Sequence, residues 1–339
     1  MSSYLNRKSN FELLRIVSQF YIILYHIFCF FIYPNTGVAF HKAIQMTFHV
    51  GVIDFVLISG YFGIRPSSKG FIKLLSIFLV YSLPYVFYKI TTAADLKDIC
   101  SQLLVISRSP LWFVKTYIYL YLFSPVLNLH IKHSSVRQKW YVIFVLFFVC
   151  IYMGMVKGDD SLSSGKNLPN FILIYLLGNI LMQYKDLLAK ISQKRWIIIY
   201  IVFNLILVTL YCLFSNGIIG KIIWHISFIY CSPILFINAI IFFMFFAQMN
   251  IKSKFINWIA KSSFAIYLIH GNRPYAYTLI GLASVYCVNH ITNPIILFIS
   301  IVLLAIAIIV ITVSIDKLLT PLWNLFERLG NYMFMRLKF

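Results

Sequence analysis

The feature that most limits this chain is the alternation of long apolar runs with short cationic loops. About ten stretches have the roughly 20 apolar residues needed to cross a bilayer as a helix. They are 11–33, 43–63, 71–90, 111–130, 141–157, 168–184, 196–215, 222–247, 263–287 and 294–316. Inside hydrocarbon every backbone N–H and C=O must find its partner within the chain, so such runs form helices. The expected fold is all-α, a polytopic integral membrane protein with about ten transmembrane helices. The eighth and ninth stretches are long, so tilt or a break is expected there, at Pro233 and Pro274.

Composition and charge narrow this further. Of 339 residues, 61% are hydrophobic and 11% charged, well under the roughly 25% charged of a soluble domain. A net charge of +20 could signal nucleic acid, but the distribution points to a membrane. Alternate loops carry Arg65, Lys69 and Lys73; then Lys132, Arg137 and Lys139; then Lys185, Lys190, Lys194 and Arg195; then Lys252, Lys254 and Lys261, against the single acid Asp186. The intervening loops hold Asp95, Asp98, Asp159 and Asp160. This positive-inside pattern places both termini in the cytoplasm and agrees with an even number of spans. Arg7 and Lys8 precede an apolar run from Ile16 to Tyr33, longer than a signal-peptide core and without a small-residue cleavage site, so a retained helix is expected. Residues 1–317 are expected to form the membrane domain. Residues 318–339, with Arg328, Arg336 and Lys338 among Leu, Trp and Phe, read as a cytoplasmic amphipathic tail. Six scattered cysteines show no ligand spacing and read as small buried hydrophobes, and no metal site is expected.

Ionisable groups inside apolar stretches carry the functional signal. Arg15 and His26 are about three helical turns apart on one face, some 16 Å along the axis, and Glu12 sits one turn before Arg15, placed to pair with it. Arg15 is close enough to the membrane surface to snorkel; His26 is deeper, where an imidazole marks chemistry or transport. Lys115 is charged within a span and needs a partner. Asp54 reads either as that partner or as a catalytic acid. His270 ends an apolar run with Arg273 and Pro274 just beyond, the pattern of a broken helix lining a cavity. His49 and His225 are weaker candidates. Trp112, Tyr117 and Tyr121 offer flat rings on which a pyranose could stack, or plain packing.

Four segments resemble a known family. FELLRIVSQFYIILYHIF at 11–28 shows an Arg, ten residues, then a His. LISGYF follows at 57–62, LWFVKTYIYLYLFSPVLN at 111–128 and SSFAIYLIHG at 262–271. Together and in this order they are similar to the motifs of the acyltransferase-3 family of integral membrane acyltransferases. Two places depart from its pattern. Ser76 stands where many members have the second of two basic residues after Lys73, and Asp54 follows Gly51-Val52-Ile53 where an acid often comes directly after Gly-Val.

The resemblance implies transfer of an acyl group, usually acetyl, from cytoplasmic acyl-CoA to a sugar hydroxyl. The acceptor would be a bacterial cell-surface polysaccharide or its lipid-linked precursor, and the location the bacterial cytoplasmic (inner) membrane. Acyl-CoA is then a co-substrate, and no bound cofactor is expected. His26 would act as general base or as acyl-accepting nucleophile, with Arg15, oriented by Glu12, on a CoA phosphate or the thioester carbonyl. Arg65, Lys69 and Lys73 suit the remaining CoA phosphates, though every cytoplasmic loop is similarly basic. Trp112, Lys115, Tyr117 and His270 are the acceptor-side candidates. The alternative is a transporter or export component for polysaccharide or lipid-linked glycan, its intramembrane charges forming a substrate or proton path. A glycan polymerase is disfavoured, because no loop is long enough to carry its catalytic arginines.

Overall fold

The structure, a computed structural model, describes residues 8–92, 95–103, 111–158, 162–271 and 273–336. Of the residues singled out above, Arg7, Asp159, Asp160 and Lys338, and the side chains of Asp98, Arg273, Pro274 and Arg336, lie outside it. The described residues contain helices and no strand. In chain order the helices are α1 (Ser9–Ile27), α2 (Tyr33–Thr36), α3 (Ala39–Phe48), α4 (Val50–Phe62), α5 (Ser68–Thr91), α6 (Leu96–Leu103), α7 (Trp112–His133) and α8 (Val136–Ile151). Then follow α9 (Leu168–Gln183), α10 (Lys185–Leu188), α11 (Gln193–Phe214), α12 (Ile218–Phe228), α13 (Pro233–Ala247), α14 (Lys254–Ala260), α15 (Ser263–His270), α16 (Arg273–His290) and α17 (Pro294–Arg336).

Helix starts follow the local chemistry of capping, in which a side-chain oxygen satisfies an orphan backbone N–H of the first turn. Ser67 accepts from Gly70, Asn167 from Asn170 and Ser253 from Ile256. Ser135 and Gln138 form a reciprocal capping box at the start of α8.

Each apolar stretch expected from the sequence is helical. Among the described residues, six helices are long and apolar enough to cross a membrane, or seven if α12 and α13, bent by 52° where they join, count as one span. The molecule is a multi-pass membrane protein. The remaining stretches differ for visible reasons. Lys115 and a run of tyrosines temper the hydropathy of α7, α9 has only 16 residues, and 263–287 divides into α15 and α16. Both breaks fall next to the prolines expected to cause them, just before Pro233 and just before Pro274. At the other end α17 runs for 43 residues, so residues 318–336 of the expected tail continue the last span as one helix.

The bundle is built around α4, which is apolar on every side and buried along nearly its whole length. It packs against α1, α9 and α13. Two glycines let α4 and α9 approach closely: a Cβ on Gly60 would collide with the Tyr175 carbonyl, and one on Gly178 with that of Leu57. Phe11 near the start of α1 meets Tyr61 and Phe62 at the end of α4, with ring centroids 5.1 and 4.8 Å apart. Asn10 donates to the Phe246 and Ala247 carbonyls at the end of α13, at 3.0 and 3.1 Å. The chain therefore runs up α1, back down α4 and down again along α13, which defines an N-terminal end and a far end. On the perimeter, α8 and α11 expose Phe144, Phe148, Ile201, Leu205 and Leu213. Such a belt is what lipid, not water, accommodates.

Candidate active site

His26 closes the last turn of α1, and the chain then passes into a π-helical turn over Phe28–Ile32. Such π-turns are rare and are found frequently at functional sites. His270 ends α15, immediately before the break that precedes α16. The two imidazoles, far apart in sequence, meet with ring centroids 5.3 Å apart. His270 is buried, and its Nδ1 lies 2.6 Å from the Ile266 carbonyl one turn back. A carbonyl can only accept, so Nδ1 carries the hydrogen and donates it. The other nitrogen, Nε2, is buried and has no hydrogen-bond partner among the described residues. In the neutral ring that nitrogen holds a lone pair.

The acid and guanidinium expected to pair do so. Arg15 donates from Nη1 to Glu12 Oε1 at 2.7 Å, with Glu12 buried and Arg15 partly exposed. Arg15 does not reach His26. Ser18 and Ile22 lie between them on the same face of α1, and α4 covers that stretch, Gly51 resting on the Ser18 carbonyl and Ile22. Asp54 of α4 is fully buried, faced by the Ser18 hydroxyl. Its oxygens make no bond of hydrogen-bond geometry to the described residues. No ion pair joins Asp54 to half-buried Lys115, so the partnership weighed from sequence does not form.

The other candidates separate by end. Arg65, Lys69 and Lys73 are exposed near the N-terminal end. The loop that carries Arg65 is clamped: the Ile64 N–H donates to the Tyr175 hydroxyl at 3.0 Å, and Asn128 donates to the Ile64 carbonyl at 2.8 Å. Tyr121 both accepts from the Ser67 N–H and donates to the Ser67 carbonyl, and its largely buried ring stacks on Phe71 at 6.2 Å, so it holds this loop and is not a free stacking surface. Lys73 faces Glu327 at 4.0 Å and lies 5.0 Å from the Trp323 ring, engaged with α17. Tyr117 shares a 3.0 Å hydroxyl contact with Ser59 of the LISGYF segment.

At the far end Trp112 packs on Tyr230 at 5.0 Å, and the Lys166 ammonium stands 5.5 Å from its ring. His225 is exposed there, its Nε2–H donating to the Met155 carbonyl at 2.9 Å, away from the histidine pair. Aromatic contacts link the two groups. His26 touches Tyr25, Tyr25 touches His49, His49 touches Tyr230 and Tyr230 touches Trp112. Lys166 and Tyr230 carry no sequence signal of their own. Both come from loops between helices, and no spacing relates them to Trp112.

The model of a family described as an acyltransferase domain, that of the acyltransferase-3 family, matches residues 8–314. The chain belongs to that family. No curated protein and no solved structure matches it. Membership makes the protein a membrane acyltransferase, and the matched region takes in all four segments whose resemblance was noted from sequence. Two imidazoles meeting at a helix break suit this chemistry, because acyl transfer to an alcohol needs a base that works near neutrality.

Proposed function

We propose that this acyltransferase moves an acyl group, acetyl by preference, from cytoplasmic acyl-CoA to a sugar hydroxyl. The acceptor is a cell-surface polysaccharide or its lipid-linked precursor, and the enzyme sits in a bacterial cytoplasmic membrane. Ten crossings, counting α7, α9 and the two broken pairs, put both termini in the cytoplasm with the basic loops. His26 takes the proton from the attacking hydroxyl, or accepts the acyl group itself before passing it on. His270, its Nδ1–H tied to a backbone carbonyl, presents Nε2 to the same locus.

Arg15, held by Glu12, works from the cytoplasmic side on the phosphate-bearing part of CoA. The pantetheine arm separates those phosphates from the thioester, which accounts for a guanidinium and a base three turns apart. Arg65 and Lys69, on and beside a clamped loop, meet the remaining phosphates. Lys73, already facing Glu327, contributes after exchanging that partner. Trp112, Lys115 and Tyr117 belong to the acceptor side.

The observation that carries this reading is the meeting of His26 with His270 at 5.3 Å, within a chain whose family transfers acyl groups. Its test is the consumption of acetyl-CoA by purified protein in lipid nanodiscs. His26→Ala is expected to slow it by about 10²–10⁴-fold, the range for loss of a general base. An unchanged rate in that variant removes His26 from the chemistry. Absence of acetyl-CoA turnover in the parent, together with glycan flux across proteoliposomes without any donor, removes the reading itself.

A further inference from the structure

We infer that His49 is an acceptor-binding residue, an imidazole placed to hydrogen-bond a neutral sugar hydroxyl one aromatic ring away from the His26–His270 pair. The inference rests on the acyl-transfer reading above and names the chemistry of its acceptor side. His49 joins α3 to α4 in a helical conformation and is only 3% exposed. Both of its ring nitrogens are buried, and neither has a hydrogen-bond partner among the described residues. Its ring is held instead by aromatic faces: Tyr230 at 4.2 Å, Phe228 at 4.4 Å and Tyr25 at 4.9 Å.

A phenylalanine would fill that aromatic niche without leaving buried nitrogens unpaired, whereas an imidazole there forfeits its hydrogen bonds to water. The buried amides of Asn204, Asn238 and Asn170 engage at least through their N–H groups, while His49 and Asp54 have no hydrogen-bond partner at either polar atom among the described residues. Asn204 and Asn238 donate to each other, and Asn170 donates to the Gly165 and Tyr230 carbonyls. At His49 the missing partner is a ligand. A neutral imidazole offers one donor and one acceptor on opposite edges, the complement of a hydroxyl that both accepts and donates. The surroundings fit a glycoside. Tyr25 and Tyr230 bring aromatic rings beside His49, Trp112 packs on Tyr230, and exposed Lys166 stands 5.5 Å from the Trp112 ring at the far end, the mix of apolar faces and sparse polar groups found in small-molecule sites.

The test uses the full chain in nanodiscs with acetyl-CoA as donor and methyl β-D-glucopyranoside as the acceptor probe, measuring KM for each. His49→Phe is expected to raise KM for the glucoside about tenfold relative to its effect on KM for acetyl-CoA, the scale of one lost hydrogen bond. His49→Gln, which keeps a donor and an acceptor, is expected to recover most of that change. Thermal midpoints identify any variant that fails to fold, and His49→Met then carries the same comparison. Equal KM for the glucoside in parent and His49→Phe overturns the inference. So does a parent that turns over acetyl-CoA without acylating the glucoside. A parent that turns over no acetyl-CoA at all sinks the acyl-transfer reading instead.

Discussion

Glu12 and Asp54 show two ways an acid can sit in an apolar helix. Glu12 has Arg15 one turn away, and the pair was readable from spacing alone because i, i+3 neighbours share a helix face. Asp54 has Ser18 across a helix crossing, and no spacing rule reaches from one helix to another. The same contrast applies to the amides. Asn204 and Asn238 exchange hydrogen bonds at 2.9 and 3.0 Å, and Asp316 accepts from Tyr81 and Ser262, both at 2.6 Å. Asn204→Leu is expected to lower stability by about 1–3 kcal/mol, because Asn238 is left buried and unpaired. The double variant Asn204→Leu/Asn238→Leu should lose less than that single change, and thermal unfolding in detergent of the two proteins decides it. On the proposed donor role of Arg15, Arg15→Lys is expected to keep a charge but lose the planar fork, raising KM for acetyl-CoA several-fold. A KM equal to that of the parent would show that the fork makes no donor contact.

At the scale of elements, LISGYF turns out to be a packing motif as much as a chemical one. Gly60 is where α4 passes the Tyr175 backbone of α9, Ser59 meets Tyr117, and Tyr61 packs on Phe11. Gly60→Ala is therefore expected to destabilise by about 1–3 kcal/mol or more, because the collision is with backbone that cannot rotate away. Gly217→Ala, where the nearest atom stands 3.7 Å from an added Cβ, is the control and should unfold near the parent temperature. Equal midpoints for the two variants would contradict the close crossing. The helix breaks were legible because proline announces them. The π-turn after His26 was not, since FCFFI has no residue that forbids an ordinary α-helix.

For the whole molecule, the apolar perimeter and the antiparallel run of the long helices set a sidedness that labelling can read. Arg65→Cys and Lys194→Cys, each in a background with the six native cysteines replaced, are expected to react with an impermeant thiol reagent from the same face of sealed vesicles. Lys166→Cys should react from the opposite face, and labelling of all three from one side would overturn the proposed ten-crossing arrangement. The C-terminal segment belongs to this scale too. Expected as an amphipathic helix or tail, it is helical through Arg336 as part of α17, with Glu327 and Trp323 against Lys73 and Gly330 against Ile72.

The sequence by itself determined the kind of element, the family and the Glu12–Arg15 pair, since lipid forces each run to satisfy its own backbone and helical spacing is a local rule. Only the tertiary structure decided that His26 meets His270, that Lys73 turns to Glu327 and that His49 lies within a shell of aromatic rings. Those contacts join helices distant in the chain. Which faces meet is settled by where glycines allow close approach and buried polar groups find partners across helices.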